Sequence, residues 1–222
     1  MTVPIDDTPV VSEGAPAEPP QWQERDAWTA LDDLDVSPAL VPASEWPAGL
    51  AAAGVTCLDR PGLYAWWVDE VGAADLTRGL APGRDLTIEA GRIHLGQAGA
   101  TKWPSGRSND DTLGRRIGEV HLGGRVRMST LRWTLASILC DQLELRGQAA
   151  MLINAPSEQA VSEWMRAHLS VALHPHDDRD TLGGLDQALL ERLDPPLNLG
   201  RMGATPVRGR IADLRRRISR EP

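Results

Sequence analysis

Two runs of apolar residues, Pro61 to Val68 (PGLYAWWV) and Gly91 to Ala98 (GRIHLGQA), are bounded by Pro or Gly and carry β-branched or aromatic side chains, so both predict strands. In the first, alternation puts Leu63, Ala65 and Trp67 on one face and Tyr64, Trp66 and Val68 on the other. Neither face is polar enough to lie in water, which makes this run a central strand. Ser170 to Leu173 predicts a third, shorter strand.

Between and after these runs the spacing turns helical. From Thr112 to Leu122, the residues Leu113, Ile117 and Val120 fall at i, i+4 and i+7. In that phase Arg116 lies at the edge of the buried stripe and Arg115 points to water. A second helix, Ser129 to Asp141, buries Leu131, Leu135, Ile138 and Leu139. A third, Ser157 to Leu169, buries Val161, Trp164, Met165 and Leu169, with His168 inside the stripe, where a lone histidine is usually a satisfied core residue. Asp69 to Gly91 reads as a polar, Gly-containing insertion with one helical turn around Ala73 to Leu80.

The helix from Thr181 to Leu193 is the most informative. Its stripe is Leu182, Leu185, Leu189 and Leu193, and Asp186 projects from the middle of it, while Glu191 faces the other way. An unpaired buried carboxylate costs several kcal/mol, so Asp186 must meet a cap, a cation such as Arg116, or a metal. The helix stops at Asp194-Pro195-Pro196, Leu197-Asn198 follows, and a last helix runs around Val207 to Ser219. Four parts are expected: a disordered acidic, Pro-rich tail (1–20), a helical strap (21–58) carrying the stripe Trp28, Leu31 and Leu34, a body (59–200), and a basic C-terminal helix (201–222).

Charge sharpens this division. The chain of 222 residues has a formal charge of -8, yet its first 50 residues carry ten acidic groups against Arg25 alone. The acidity belongs to the N-terminal segment and reads as a solubility tail. From Arg201 onward stand seven arginines against Asp213 and Glu221, a candidate for phosphate contact or a solvated helix. The loop Gly99 to Asp111 holds Lys102, Trp103 and Arg107, a cation and indole grouping suited to a nucleic-acid backbone and base face; Trp103 capping the core edge is the competing reading. Cys57 and Cys140 are too few for a disulfide framework or a thiolate zinc site. HPHDDRD, His174 to Asp180, lacks a fixed spacing to aim its imidazoles and carboxylates at a metal and reads as a solvated loop. No apolar run is of bilayer-spanning length and the first thirty residues lack a signal-peptide pattern, so a cytoplasmic protein without membrane contact is expected.

Taken in order, Gly62-Leu63-Tyr64, His94-Leu95-Gly96, the helical Arg116, and Asp186 eight residues before Asp194-Pro195-Pro196-Leu197-Asn198 give a pattern that resembles the GIY-YIG nuclease superfamily over roughly residues 60 to 200. The resemblance implies an α/β (α+β) fold: a small three-stranded, largely antiparallel sheet flanked by helices. It also implies phosphodiester hydrolysis assisted by one divalent metal, Mg2+ or Mn2+, with nucleic acid, DNA foremost, as partner. On it, Tyr64 matches the tyrosine beside the attacking water, His94 the tyrosine of the second tripeptide, Arg116 the arginine on the scissile phosphate and Asp186 the metal-binding carboxylate. Asn198 matches an asparagine after the helix stop, and Lys102 and Arg107 join it as expected substrate contacts.

Two departures bear on activity. HLG replaces a tyrosine-led tripeptide, and an imidazole with an unperturbed pKa of about 6.5 is a better base near neutrality than a phenol of about 10. Asp186 replaces a glutamate, which retracts the ligand by about 1 Å, a displacement able to cost about a hundredfold in rate. A module on the same scaffold that binds nucleic acid or protein without cutting is therefore the alternative to an endonuclease.

Overall fold

The computed structural model describes residues 21–23, 25–27, 29–30, 40–52, 56–80, 86–102, 105–107, 109–148 and 152–220. The expected tail 1–20, the stripe Trp28, Leu31 and Leu34, and Trp103 lie outside them.

One antiparallel sheet of four strands organises the fold, in the order β1 (Val41–Pro42), β6 (Leu169–Pro175), β2 (Gly62–Val68), β3 (Gly91–Ala98). The mixed helix and sheet class is as expected, and the expected three strands are its long members. The fourth, β1, is two residues paired with Val171 and Ser170 of β6, too short to leave a periodic signal. A separate small hairpin joins β4 (Gly147–Gln148) and β5 (Leu152–Ile153). β2 is central, bonded along its length to β3 and β6.

Both faces of β2 are covered, as its lack of a polar face requires. Tyr64, Trp66 and Val68 join a core cluster with Leu76, Leu113, Ile117, Leu131, Leu135 and Met165. Leu63 and Ala65 join a second cluster with Leu182, Leu185 and Leu189, onto which Ala27 and Ala30 of the N-terminal segment also pack. The first face is covered by α2 (Glu70–Leu80), α3 (Leu113–Arg115, continued as a π-helical segment Arg116–Leu122), α4 (Thr130–Leu139), α5 (Ala155–His168) and α7 (Pro206–Arg220). The second is covered by α6 (Arg179–Leu193), and α1 (Ala48–Ala52) follows β1. Among the described residues no helix is long and apolar enough to cross a membrane.

Several local expectations change. The insertion after β2 is a full helix, α2, burying Gly72, Ala73, Leu76 and Leu80. Its glycines are sites of close packing: a Cβ on Gly79 would stand 2.2 Å from the Ile138 carbonyl oxygen. His168 leaves the core stripe, its Nδ1 lying 3.2 Å from the Asp69 carboxylate. Leu169 begins β6 instead of ending a helix. The loop read in His174 to Asp180 is limited to residues 176–178, with Asp177 and Asp178 exposed, between the end of β6 and the start of α6, where Asp178 caps the N–H groups of Asp180 and Thr181. Among the described residues, no group of three or more His, Cys, Asp or Glu could hold a metal.

Nor is the C-terminal helix a free solvated rod. Ile211 and Leu214 are buried, and Arg208 is buried with its guanidinium on the carbonyls of Asp194, Pro195, Asn198 and Gly203 and on the Asp194 carboxylate. Four carbonyls and an anion satisfy a charge that would otherwise be prohibitive to bury.

Gly79 yields a prediction whose sign is diagnostic. On propensity alone, Gly79→Ala in α2 would stabilise by about 1 kcal/mol. With the Ile138 carbonyl in the way, urea unfolding is expected to show a net loss of about 1 to 3 kcal/mol, and a gain would mean that α2 and α4 do not meet there.

Candidate active site

A cleft of about 300 Å³ opens along β3, an edge strand of the sheet, lined by Tyr64, His94, Arg116, Asp186 and Asn198 together with Gly96, Thr130, Arg201 and Arg215. Five of the residues singled out from sequence therefore meet at one place, from β2, β3, the π segment, α6 and the loop after it. Lys102 and Arg107 do not. They face each other across a tight exposed loop, with the Lys102 N–H on the Arg107 carbonyl at 3.0 Å, away from the cleft lining.

The sheet register places the phenol. Tyr64 on β2 stands opposite Gly96 on β3, and a Cβ on Gly96 would lie 2.5 Å from the Tyr64 hydroxyl and 2.6 Å from its ring. Only a residue without a side chain leaves the phenol room, which gives the glycine of HLG a steric reason. His94, opposite Trp66, lies on the same face, its ring stacked at 6.4 Å from that of Tyr64. Its Nδ1 is buried with no hydrogen-bond partner. Burial and, after it, the charge of Arg215 push the His94 pKa down to about 3, so the ring is neutral in ordinary buffers. Burial also raises the Tyr64 phenol well above its ordinary value; Arg116 opposes this and the Asp186 and Asp111 carboxylates add to it.

Behind the phenol is a residue the sequence reading passed over. His121 Nε2 lies 2.8 Å from the Tyr64 hydroxyl, and its Nδ1 lies 2.8 Å from Ser129 Oγ. Burial, then His94, Arg116 and Arg132, hold this imidazole well below its usual pKa. His121 was hidden because the phase argument assumed 3.6 residues per turn. The π segment stretches the period, so Leu113 and Ile117 stay buried while Val120 turns outward to a half-buried position and His121 turns in. Arg132, fully buried, fixes the end of the segment through the His121 carbonyl at 2.9 Å and pairs with Glu158.

The charged groups are arranged differently from the simplest expectation. Arg116 pairs with Asp111, not with Asp186. Asp186, 2% exposed, accepts from Arg201 at 2.6 Å on Oδ2, while Oδ1 is buried without a hydrogen-bond partner. Burial raises its pKa and Arg201 lowers it again. Arg215 of α7 reaches the cleft wall by stacking on Trp133 at 4.4 Å and donating to Thr130 and Thr134, and burial brings its pKa down to about 10. Asn198 lines the cleft, but its amide brackets one residue of β3: the Leu95 N–H donates to Oδ1 at 2.9 Å, and Nδ2 donates to the Leu95 carbonyl at 2.8 Å. It braces the strand edge beside His94 in the manner of a neighbouring strand.

A metal would fit at Asp186 on one count that the geometry itself supplies: one oxygen of the buried carboxylate at the cleft wall has no partner. Among the described residues it would be a single-carboxylate site completed by water and substrate oxygens.

A small antiparallel sheet with a phenol, a neutral imidazole, arginines and one carboxylate lining a single cleft, and a second neutral imidazole behind the phenol, has the components of a nuclease-type site. The family model of the GIY-YIG catalytic domain matches residues 62–217, and the chain belongs to that family. The match implies nuclease-type chemistry, dependence on metal and contact with nucleic acid in general terms. No curated protein and no solved structure matches the chain.

Two consequences can be measured. Gly96→Ala should drive the phenol off its position and break its contact with His121, visible as a shifted Tyr64 signal in spectra of this single-tyrosine chain, with the far-ultraviolet circular dichroism unchanged. The second concerns pH. A histidine with a folded pKa of about 3 leaves the unfolded chain binding the extra proton between about 6.5 and 3. Stability should therefore fall as pH drops through that window, by up to about 1.4 kcal/mol per pH unit for the one proton. Urea titrations of His94→Gln should show a shallower fall than wild type; parallel curves would place the imidazole in water.

Proposed function

We propose that this protein is a metal-dependent endonuclease that hydrolyses phosphodiester bonds in nucleic acid, with DNA as its first substrate class and Mg2+ or Mn2+ as its cofactor. The observation that carries this reading is the convergence of Tyr64, His94, Arg116 and Asp186, far apart in the chain, on one cleft. In this reading residues 59–200 form the catalytic body, 21–58 a strap on it, and 201–222 a basic segment that contributes Arg201 from the loop before α7 and Arg215 from α7 itself.

The proton inventory supplies acceptors for a water nucleophile, weak ones because burial lowers the basicity of both rings. At neutral pH the Tyr64 phenol keeps its proton and both imidazoles are neutral. As water attacks phosphorus in line, the Tyr64 oxygen takes the water proton and passes its own to His121 Nε2, 2.8 Å away, while Ser129 holds Nδ1 in place. His94, with a bare Nδ1 beside the phenol, offers a second acceptor on the same wall. Arg116 balances charge growing on the non-bridging oxygens, with Asp111 fixing its orientation. A divalent cation on Asp186 would supply Lewis-acid stabilisation of the phosphate and of the departing oxygen. Asn198 keeps β3, and with it His94, in register. Lys102 and Arg107, outside the cleft, are left with backbone contact remote from the scissile bond, which adds affinity without base readout.

A second reading, a module that binds nucleic acid or protein without cutting it, draws on the shorter Asp186 side chain and its pairing with Arg201. The two separate on a cleavage assay over labelled DNA and RNA with Mg2+ or Mn2+. An endonuclease cuts, and Arg116→Ala and Asp186→Ala each lower the rate by about 10²- to 10³-fold with the melting temperature of Arg116→Ala within a few degrees of wild type. Salt-dependent retention with no metal-dependent product would establish the binding module instead.

A further inference from the structure

Asp186 and Arg201 are an unequal pair. The carboxylate side chain is 3% exposed and the arginine 58% exposed. Asp186 sits in the core stripe of α6, immobilised between Leu185 and the buried turns on either side, whereas Arg201 lies on the loop between α6 and α7. That loop is pinned at both ends by Arg208, whose guanidinium holds the Asn198 carbonyl at 2.9 Å and the Gly203 carbonyl at 3.1 Å. Arg201 stands near the apex with φ of 63°, in the left-handed region that a non-glycine residue enters only at a cost. Cβ positions on Gly200 and Gly203 would face open space, so nothing crowds the segment. The guanidinium thus covers the one buried carboxylate of the cleft from the solvent side, and the side chain can swing without moving the pinned loop.

We propose that Arg201 is a displaceable guard on Asp186, holding the carboxylate when the cleft is empty and moving onto a phosphate of the nucleic acid when the cleft fills, so that cation and phosphodiester bind cooperatively. The proposal rests on the reading of Asp186 as the metal-binding carboxylate. Arg201 holds Oδ2 and leaves Oδ1 without a partner, so a divalent cation on Oδ1 would share one carboxylate with the guanidinium and be repelled by it. A phosphodiester in the cleft gives Arg201 an alternative anion with bidentate geometry, and Arg116 and Arg215 on the same lining draw that anion in. Reciprocity follows from linkage: whatever raises the affinity for the cation when phosphate is bound must raise the affinity for phosphate equally when the cation is bound. Arg201 is in this sense a positioning residue, with no part in proton transfer.

The test uses the full chain. Mn2+ binding in the absence of nucleic acid is measured by electron paramagnetic resonance for wild type, Arg201→Gln and Asp186→Ala, and binding of a labelled DNA duplex is measured by fluorescence anisotropy with and without Ca2+. Removing the guard should tighten Mn2+ binding about tenfold in Arg201→Gln and abolish binding in Asp186→Ala. Ca2+ should strengthen duplex binding by wild type about tenfold, and that gain should shrink or vanish in Arg201→Gln. Equal Mn2+ affinity in wild type and Arg201→Gln, lost in Asp186→Ala, overturns the guard and leaves the metal reading intact. Absence of any Asp186-dependent Mn2+ binding overturns both. Arg201→Gln keeps a donor for the Asp186 carboxylate, and far-ultraviolet circular dichroism and the melting temperature of each variant check that the fold survives.

Discussion

The contact on which the site depends is the meeting of Tyr64 with Gly96 across the β2–β3 pair. The phenol hangs over a backbone position with no side chain, at a separation that no Cβ would permit. Because strand side chains alternate, sliding β3 by one residue would put Leu95 or Gln97 under the phenol and turn His94 to the opposite face. The register is held from outside as well as inside. Asn198 and the Leu197 N–H bond to the outer edge of β3 at Leu95 and Ile93, so an otherwise open edge is paired at the residues flanking His94. Arg208 in turn clamps the Asn198 carbonyl. A buried arginine on the last helix therefore stabilises the position of a histidine on the second long strand, through one asparagine.

The π segment makes a similar trade. A helix of ordinary pitch through Arg116 would carry His121 past the phenol; the wider turn brings both residues to the cleft side from one short element. The price is a weaker hydrogen-bond ladder, and the surroundings compensate: Arg132 binds the His121 carbonyl, Ser129 binds the ring, and Glu158 accepts the Val126 N–H just beyond.

What could be read from the sequence, and what could not, divides along the range of the interactions. The central strand was legible because two apolar faces on one strand have a single structural meaning. Arg116 and Asp186 were legible because a charge on or beside an apolar helical stripe demands an explanation. The partner of Asp186 was not, since nothing local distinguishes Arg201, reached through a proline stop and a loop, from Arg116 or a cation. Helix α2 was obscured because Gly72 and Gly79 serve its packing, a role that looks like helix breaking when neighbours are unknown. His121 was obscured because a single change of helical period reassigns every residue after it. Arg215 looked like one arginine among many until the stacking on Trp133 showed which face of α7 turns inward.

Charge in the cleft is arranged so that an empty site neutralises itself. Arg116 rests on Asp111 and Arg201 on Asp186, while Arg215 is held over an indole and against a backbone carbonyl. Both imidazoles are kept neutral by burial, so they add no positive charge to a wall already lined by three guanidinium groups. A phosphodiester entering such a site would meet Arg116 and Arg201, which line the cleft and would need only to exchange one counter-anion for another. On the proposed reading the uncharged imidazoles have a lone pair open to the phenol's proton, while the burial that keeps them neutral also makes them weak bases. Affinity for the anion and capacity to receive a proton would oppose each other in a site that relied on protonated histidines; on the proposed reading arginines would carry the first and buried, uncharged rings the second.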